Sequence, residues 1–195
     1  NPNNPDGRLV RADDLAAVAR EMAARKRLLV VDEAFADVLP AAASLVPRAA
    51  QCGAVVLRSF GKTYGLAGVR LGFLVAPPPF AQAVRDALGP WAVSGPALAA
   101  GRLALADRAW LDATIERLDA DAARLDGMLS EWGMTPAGGT PLFRLASAPD
   151  AQERFRRLAA SGVLVRAFAG RPDWLRFGLP APGQWALLGA RLKTR

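Results

Sequence analysis

Ser59-Phe-Gly-Lys62-Thr-Tyr-Gly-Leu-Ala-Gly-Val-Arg70-Leu-Gly-Phe73 sets a lysine, a hydroxyl and an arginine among glycines, directly after the apolar run that begins at Val55. The chain has three lysines, Lys26, Lys62 and Lys193, against 22 arginines, so a lysine at the centre of this loop points to a task beyond charge. An amine that is desolvated or set near other cations loses its proton and attacks a carbonyl to form a Schiff base, whereas a guanidinium stays protonated. A glycine-rich turn carrying a surface lysine is the plainer alternative for so short a motif.

Two segments upstream bear on that choice. Asn1-Pro-Asn-Asn-Pro-Asp-Gly7 is a dense turn signal. Leu28-Leu-Val-Val31 has the length and composition of a buried strand, and it delivers Asp32-Glu-Ala-Phe35 at its C-terminal end. Parallel α/β sheets put their ligands at that end of their strands, although a lone aspartate there also serves as a cap for the next element.

In this order the three segments resemble the asparagine turn, aspartate strand and lysine loop of the fold type I pyridoxal-phosphate (PLP) enzymes, the aspartate-aminotransferase superfamily. The resemblance implies PLP as cofactor, with Lys62 as the Schiff-base residue and as general acid or base once its amine is released. It implies Asp32 as the carboxylate that keeps the pyridine nitrogen protonated, and Ser59 and Arg70 as the phosphate clamp. Asn4 matches the asparagine that hydrogen-bonds the ring's phenolic oxygen, and Asn3 is the less favoured neighbour. Two positions depart from the commonest pattern. Phe35 stands where many aminotransferases carry a tyrosine that donates to that oxygen. Gly61 stands where histidinol-phosphate aminotransferases place a second phosphate-binding hydroxyl.

The C-terminal part extends the resemblance to the histidinol-phosphate-aminotransferase-like group. Gly162-Val-Leu-Val-Arg166 and Trp174-Leu-Arg176-Phe-Gly-Leu-Pro180 match its paired arginine segments. Arg176 matches the residue that grips a substrate carboxylate, a task for a planar bidentate donor, and Arg166 one that helps bind anionic substrate groups. Each is otherwise an ordinary surface arginine. Within that group, Gly138-Gly-Thr-Pro-Leu-Phe-Arg144, Asp32-Glu-Ala-Phe35 and Arg176-Phe-Gly-Leu-Pro180 look most like the threonine-phosphate decarboxylase family of cobalamin biosynthesis. Decarboxylation and transamination differ in which substrate bond stands perpendicular to the cofactor ring. The sequence leaves both open, together with a fragment that binds no cofactor.

The expected fold is α/β: the C-terminal part of a large, mostly parallel-sheet domain over 1–132, ending in a long helix, then a small α+β domain over 133–195. Helices are expected over Asp13 to Lys26, with Leu15, Val18 and Met22 on one face, and over Phe80 to Leu88, Ser94 to Ala106 and Ala109 to Trp132. Strands are expected over Leu28 to Val31, Val55 to Arg58 and Gly72 to Val75. After Gly138-Gly139 come shorter elements: strands at Leu142 to Leu145, Val163 to Arg166 and Trp174 to Gly178, and helices at Gln152 to Ala160 and Gln184 to Leu192. Members of the superfamily are considerably longer than 195 residues, so the chain reads as an N-terminally truncated subunit. The full-length protein is expected to be a homodimer acting on a small phosphorylated amino acid.

Composition excludes other classes. The net charge is +7, but Arg117, Arg124 and Arg154 to Arg157 alternate with Asp119, Asp121, Asp126 and Glu153, the texture of a solvated face rather than a nucleic-acid stripe. There is no histidine, which removes Ser-His and Cys-His catalysis and most zinc sites, so no metal is expected. The one cysteine, Cys52, fits a reduced, cytoplasmic setting, and no apolar run is long enough to span a membrane. A P-loop fails because the glycine required five residues before Gly61 is Val56.

Overall fold

The computed structural model describes residues 1–193. By contact the chain divides into two units, residues 1–2 with 9–112 and residues 3–8 with 113–195.

The first unit holds helix α1 (Ala12–Ala24), strand β1 (Val30–Asp32), the short helix α2 (Ala49–Cys52), strands β2 (Val55–Ser59) and β3 (Gly72–Val75), and helices α3 (Pro78–Leu88) and α4 (Gly95–Ala106). Its three strands lie in the order β1-β2-β3. β1 and β2 are parallel, with Asp32 opposite Leu57, and β3 runs antiparallel to β2, with Gly72 opposite Ser59. The sheet is therefore mixed rather than mostly parallel. A parallel return to β3 would need a crossover, usually a helix, whereas residues 60–71 carry only the 3-10 turn Ala67–Val69.

One face of this sheet, through Val31 and Val56, packs with Ala16, Ala19, Leu45, Ala49 and Cys52. The inward stripe of α1 is Ala12, Ala16 and Ala19, with Leu15 beside it, while Val18 is 45% exposed. The helix thus packs on small side chains, which let its backbone come close to α2, rather than on the expected row of larger ones.

Helix α5 (Arg108–Glu131) carries the division between the units. In the second unit follow β4 (Thr135–Thr140), β5 (Phe143–Ser147), α6 (Ala151–Ala160), β6 (Arg166–Phe168), β7 (Arg171–Gly178) and α7 (Trp185–Lys193). Four antiparallel strands in the order β4-β5-β7-β6 form its sheet. Its core gathers Leu125 and Leu129 from α5 with Ala146, Leu158, Leu175, Phe177, Trp185 and Leu188. Leu118, Ala122, Leu125 and Leu129 are buried at the three- and four-residue spacing of a helix face. The turn at Trp132 and Gly133 joins α5 to β4 inside this unit.

β4 has no counterpart in the expected elements, because Pro136, Gly138 and Gly139 read as a break. The strand forms with a bulge between Pro136 and Gly138, and Gly138 sits at φ +134°, which L side chains rarely adopt. A Cβ on Gly138 would stand 2.2 Å from the Asp6 carbonyl oxygen. That closeness lets the Asn3–Arg8 turn lie on β4, where the Gly139 N–H donates to the Asp6 carbonyl at 2.9 Å.

Candidate active site

Because β1 and β2 are parallel neighbours, their C-terminal ends emerge together at one edge of the first unit's sheet. Asp32 ends β1 and Ser59 ends β2. The Asp32 carboxylate is exposed and accepts the Ala34 N–H at 2.9 Å, a cap on the turn that follows. Ser59 Oγ accepts the Gly61 N–H at 3.3 Å, which leaves the hydroxyl proton to donate elsewhere. Lys62 is exposed, with its Nζ 5.6 Å from the centroid of the Phe35 ring. Arg70 is exposed in the left-handed conformation at φ 58°, and its Nη1 donates to the Ala67 carbonyl at 3.3 Å. Among the described residues neither Lys62 nor Arg70 enters an ion pair.

The loop between them is propped from below. Phe60 is buried and stacks on Tyr64 at 4.6 Å between centroids, and Tyr64 stacks in turn on Trp110 at 5.9 Å. Burial, and then the charge of Asp37, push the Tyr64 phenol above its ordinary range. Thr63 is 5% exposed, and its hydroxyl has no hydrogen-bond partner among the described residues. Gly61 faces the returning chain: a Cβ there would lie 2.8 Å from the Ala67 Cα, so backbone fills the space a second hydroxyl-bearing side chain would need.

In the second unit the structure brings Asn4 and Arg176 together. Arg176 Nη1 donates to Asn4 Oδ1 at 2.5 Å, and the guanidinium lies 5.4 Å from the centroid of Phe143. Arg166 is the cross-strand partner of Arg176, so the two side chains share a face of the β6–β7 pair. Burial, and next the charge of Arg166, hold the Arg176 guanidinium below the usual arginine range. Arg166 itself is exposed. The turn carrying Asn4 is braced by Asn3, whose Nδ2 donates to Asp6 Oδ1 at 2.7 Å; that hydrogen bond, with the Arg8 N–H, holds the Asp6 carboxyl below the usual carboxylate range. A cavity of about 300 Å³ lined by Val163, Leu164, Phe177, Leu179, Leu187 and Leu188, among others, includes none of the expected site residues.

Sequence reasoning passed over Glu33. Its neighbour Asp32 points to the opposite side of the strand and is exposed, while Glu33 is fully buried. Its Oε1 accepts the Leu45 N–H at 2.6 Å, and its Oε2 accepts the Ser44 hydroxyl at 2.6 Å and Arg58 Nη1 at 3.3 Å. Arg58 also pairs with Asp37. This network pins the Asp32–Phe35 turn beneath the exposed carboxylate. The alternation of a strand, which turns adjacent acids to opposite sides, was the available signal.

A threonine-phosphate decarboxylase of Pseudomonas aeruginosa is 43% identical over 193 residues, covering 98% of this chain and 58% of that protein. A threonine-phosphate decarboxylase of a Sinorhizobium species is 42% identical over 181 residues, covering 92% and 53%. The chain thus spans a little over half the length of these relatives. Among solved structures, histidinol-phosphate aminotransferase from Sinorhizobium meliloti, in complex with pyridoxal-5'-phosphate, superposes with a TM-score of 0.85 at 26% identity, covering 98% of this chain and 55% of that one. Residues 1–186 match the aminotransferase class I and II family. The chain belongs to that family.

Proposed function

We propose that this chain is the part of a PLP-dependent enzyme that carries the anchoring lysine and the substrate arginines. The reaction is the decarboxylation of L-threonine O-3-phosphate to (R)-1-amino-2-propanol O-2-phosphate in cobalamin biosynthesis. The observation that carries the reading is the Asn4–Arg176 hydrogen bond. A guanidinium only donates, so it fixes the amide oxygen of Asn4 toward itself and turns the NH2 group the other way. The NH2 group of Asn4 would then be the donor to the cofactor's phenolic oxygen, the role the resemblance gives it, while its amide oxygen steadies Arg176, which would take the substrate carboxylate.

The donor set fits the cofactor. Lys62 supplies the anchoring amine and Asp32 a carboxylate for the pyridinium. Ser59 has a hydroxyl proton to spare, and Arg70 is a cation free of ion pairs among the described residues. Bound PLP supplies an electron sink for the pair released when a bond at the substrate's α-carbon breaks. Arg176, with Arg166 beside it, orients the substrate by its anionic groups, and Lys62 delivers the proton to the α-carbon after CO2 departs. Residues 1–132 are assigned to the large domain and 133–195 to the small one, in a cytoplasmic homodimer without nucleic-acid or membrane partners. No helix among the described residues is long and apolar enough to cross a membrane. A histidinol-phosphate-type aminotransferase is the second reading, favoured by the solved structure above. Against it, the backbone of Ala67 fills the place where that group carries a hydroxyl side chain at position 61.

The test uses the natural full-length protein loaded with PLP and given L-threonine O-3-phosphate. The expected result is CO2 release, with borohydride fixing the cofactor covalently on Lys62. Amino transfer to an oxo acid without CO2 establishes the second reading. Unchanged covalent fixation in Lys62→Ala refutes the anchoring role.

A further inference from the structure

Asn3-Asn-Pro-Asp-Gly-Arg8 closes on itself. The Asn3 N–H donates to the Arg8 carbonyl at 2.8 Å, and the Gly7 N–H to the Asn3 carbonyl at 2.9 Å. Across this loop Asp6 Oδ1 accepts both Asn3 Nδ2 at 2.7 Å and the Arg8 N–H at 3.1 Å, while the Asp6 carbonyl takes the Gly139 N–H of β4. One residue therefore closes the turn with its side chain and seats it on the strand with its backbone. The seat admits no side chain at Gly7, whose φ is +70° and where a Cβ would stand 1.8 Å from the Gly139 carbonyl oxygen. Asn4 lies within the turn so held, and it is exposed. A single hydrogen bond from an exposed amide is worth little more than the side-chain freedom it costs, so Asn4 stays on Arg176 because the turn presents it.

We propose that Asp6 and Asn3 are positioning residues: together they hold the turn that sets Asn4 on Arg176, and so orient the guanidinium for the substrate carboxylate. The inference rests on the reading above in which Arg176 takes that carboxylate, and it applies to either reaction at the α-carbon. Asn3, the neighbour less favoured for the cofactor, thereby acquires a different task. The chemistry of the contact suits it. A neutral amide oxygen holds Arg176 in place without neutralising it, and among the described residues Arg176 enters no ion pair. The one carboxylate of the turn is engaged with Asn3 and Arg8, which leaves the charge of Arg176 for an anionic ligand. Without Asn4, Arg176 keeps the Phe143 ring face but meets the like charge of its cross-strand partner Arg166 with no amide oxygen to hold it.

Two experiments test this. In the cofactor-free chain labelled with 15N, the Arg176 Nε–H signal is assigned by its absence in Arg176→Lys. Asn4→Ala and Asp6→Ala are expected to move it in the same direction, while Asp6→Asn, which keeps an oxygen for both N–H groups, leaves it near the wild-type position. A signal that Asp6→Ala leaves unmoved overturns the proposal. In the loaded full-length enzyme, Asp6→Ala is expected to lower kcat/KM about three- to tenfold, the worth of one net hydrogen bond, and Asp6→Asn to recover most of that loss. In an Asn4→Ala background, Asp6→Ala is expected to change kcat/KM by no more than about twofold, because a residue that acts through Asn4 has nothing left to act on. Equal losses in the two backgrounds mean that Asp6 supports the fold and does not position Asn4. If Asp6→Ala does not fold, Asn3→Ala, which leaves the Arg8 N–H on the carboxylate, carries both measurements with the same directions expected. An unchanged kcat/KM in Arg176→Lys refutes the reading beneath, whereas a loss there with additive effects of Asp6 and Asn4 refutes this inference alone.

Discussion

Replacing Glu33 with alanine tests whether the buried network holds the edge from which Asp32, Phe35 and Lys62 project. The substitution removes the acceptor of the Leu45 N–H, the Ser44 hydroxyl and Arg58 Nη1. Arg58 keeps Asp37, so its charge is not left unpaired. The buried Leu45 N–H is left without its partner, which costs about 1–3 kcal/mol. Breaking a buried carboxylate–guanidinium pair costs about 3–5 kcal/mol when one partner is stranded, so the retained Asp37 sets the total near the bottom of that range, about 3 kcal/mol. Glu33→Gln keeps an oxygen for Leu45 but turns an NH2 toward Arg58, and about half that loss is expected. Hydrogen exchange of a peptide covering β2 reads the effect without the second unit. Amides that open with the network should exchange on the order of 100-fold faster in Glu33→Ala and about tenfold faster in Glu33→Gln. A change of less than threefold in Glu33→Ala means that the network does not hold this edge. Equal losses in the two variants mean that charge alone matters, not the acceptor geometry.

Asn4→Ala removes the acceptor facing Arg176 and is expected to lower kcat/KM of the loaded full-length enzyme about two- to tenfold, the worth of one hydrogen bond; an unchanged value separates Asn4 from substrate binding. Tyr64 is the chain's one tyrosine, so absorbance at 295 nm follows a single phenol, and its titration is expected above the ordinary value of about 10. Because the folded value is raised, the stability tied to the neutral phenol is complete below the unfolded pKa and is lost as pH rises through the folded one. A transition at or below pH 10 contradicts the buried stack. Gly138→Ala sets a Cβ against the Asp6 carbonyl in a backbone conformation alanine avoids, and a loss of about 2–3 kcal/mol is expected in urea unfolding followed at Trp174 and Trp185; a neutral result means that the turn does not lie on β4.

The placement of the candidate residues was more legible than the structure that supports them. Strands end where their apolar runs end, so Asp32 and Ser59 could be placed at a sheet edge, and Lys62 stood out because the chain uses arginine almost everywhere else. β4 was hidden because its residues are poor strand formers and earn their place through the approach of the Asn3–Arg8 turn, a contact 133 residues apart in sequence between Asp6 and Gly139. Glu33 was hidden beside Asp32, since only the tertiary fold decides which of two adjacent acids is buried. The antiparallel direction of β3 followed from what residues 60–71 lack, a crossover helix. The inward alanines of α1 show the same limit: helical spacing marks a face, but close packing chose the small residues on it.

The place of the Asn3–Arg8 turn within the second unit has a consequence for the order of assembly. These residues leave the ribosome among the first of this segment, yet their seat on β4 is made about 130 residues later, roughly 7 to 26 s at ordinary synthesis rates. Until then the turn has no strand beneath it, and Arg176, further on still, has no Asn4 to meet. The small-sheet unit is discontinuous in the chain, so the arginine pair reaches its finished geometry only when the last strand and the earliest turn have met.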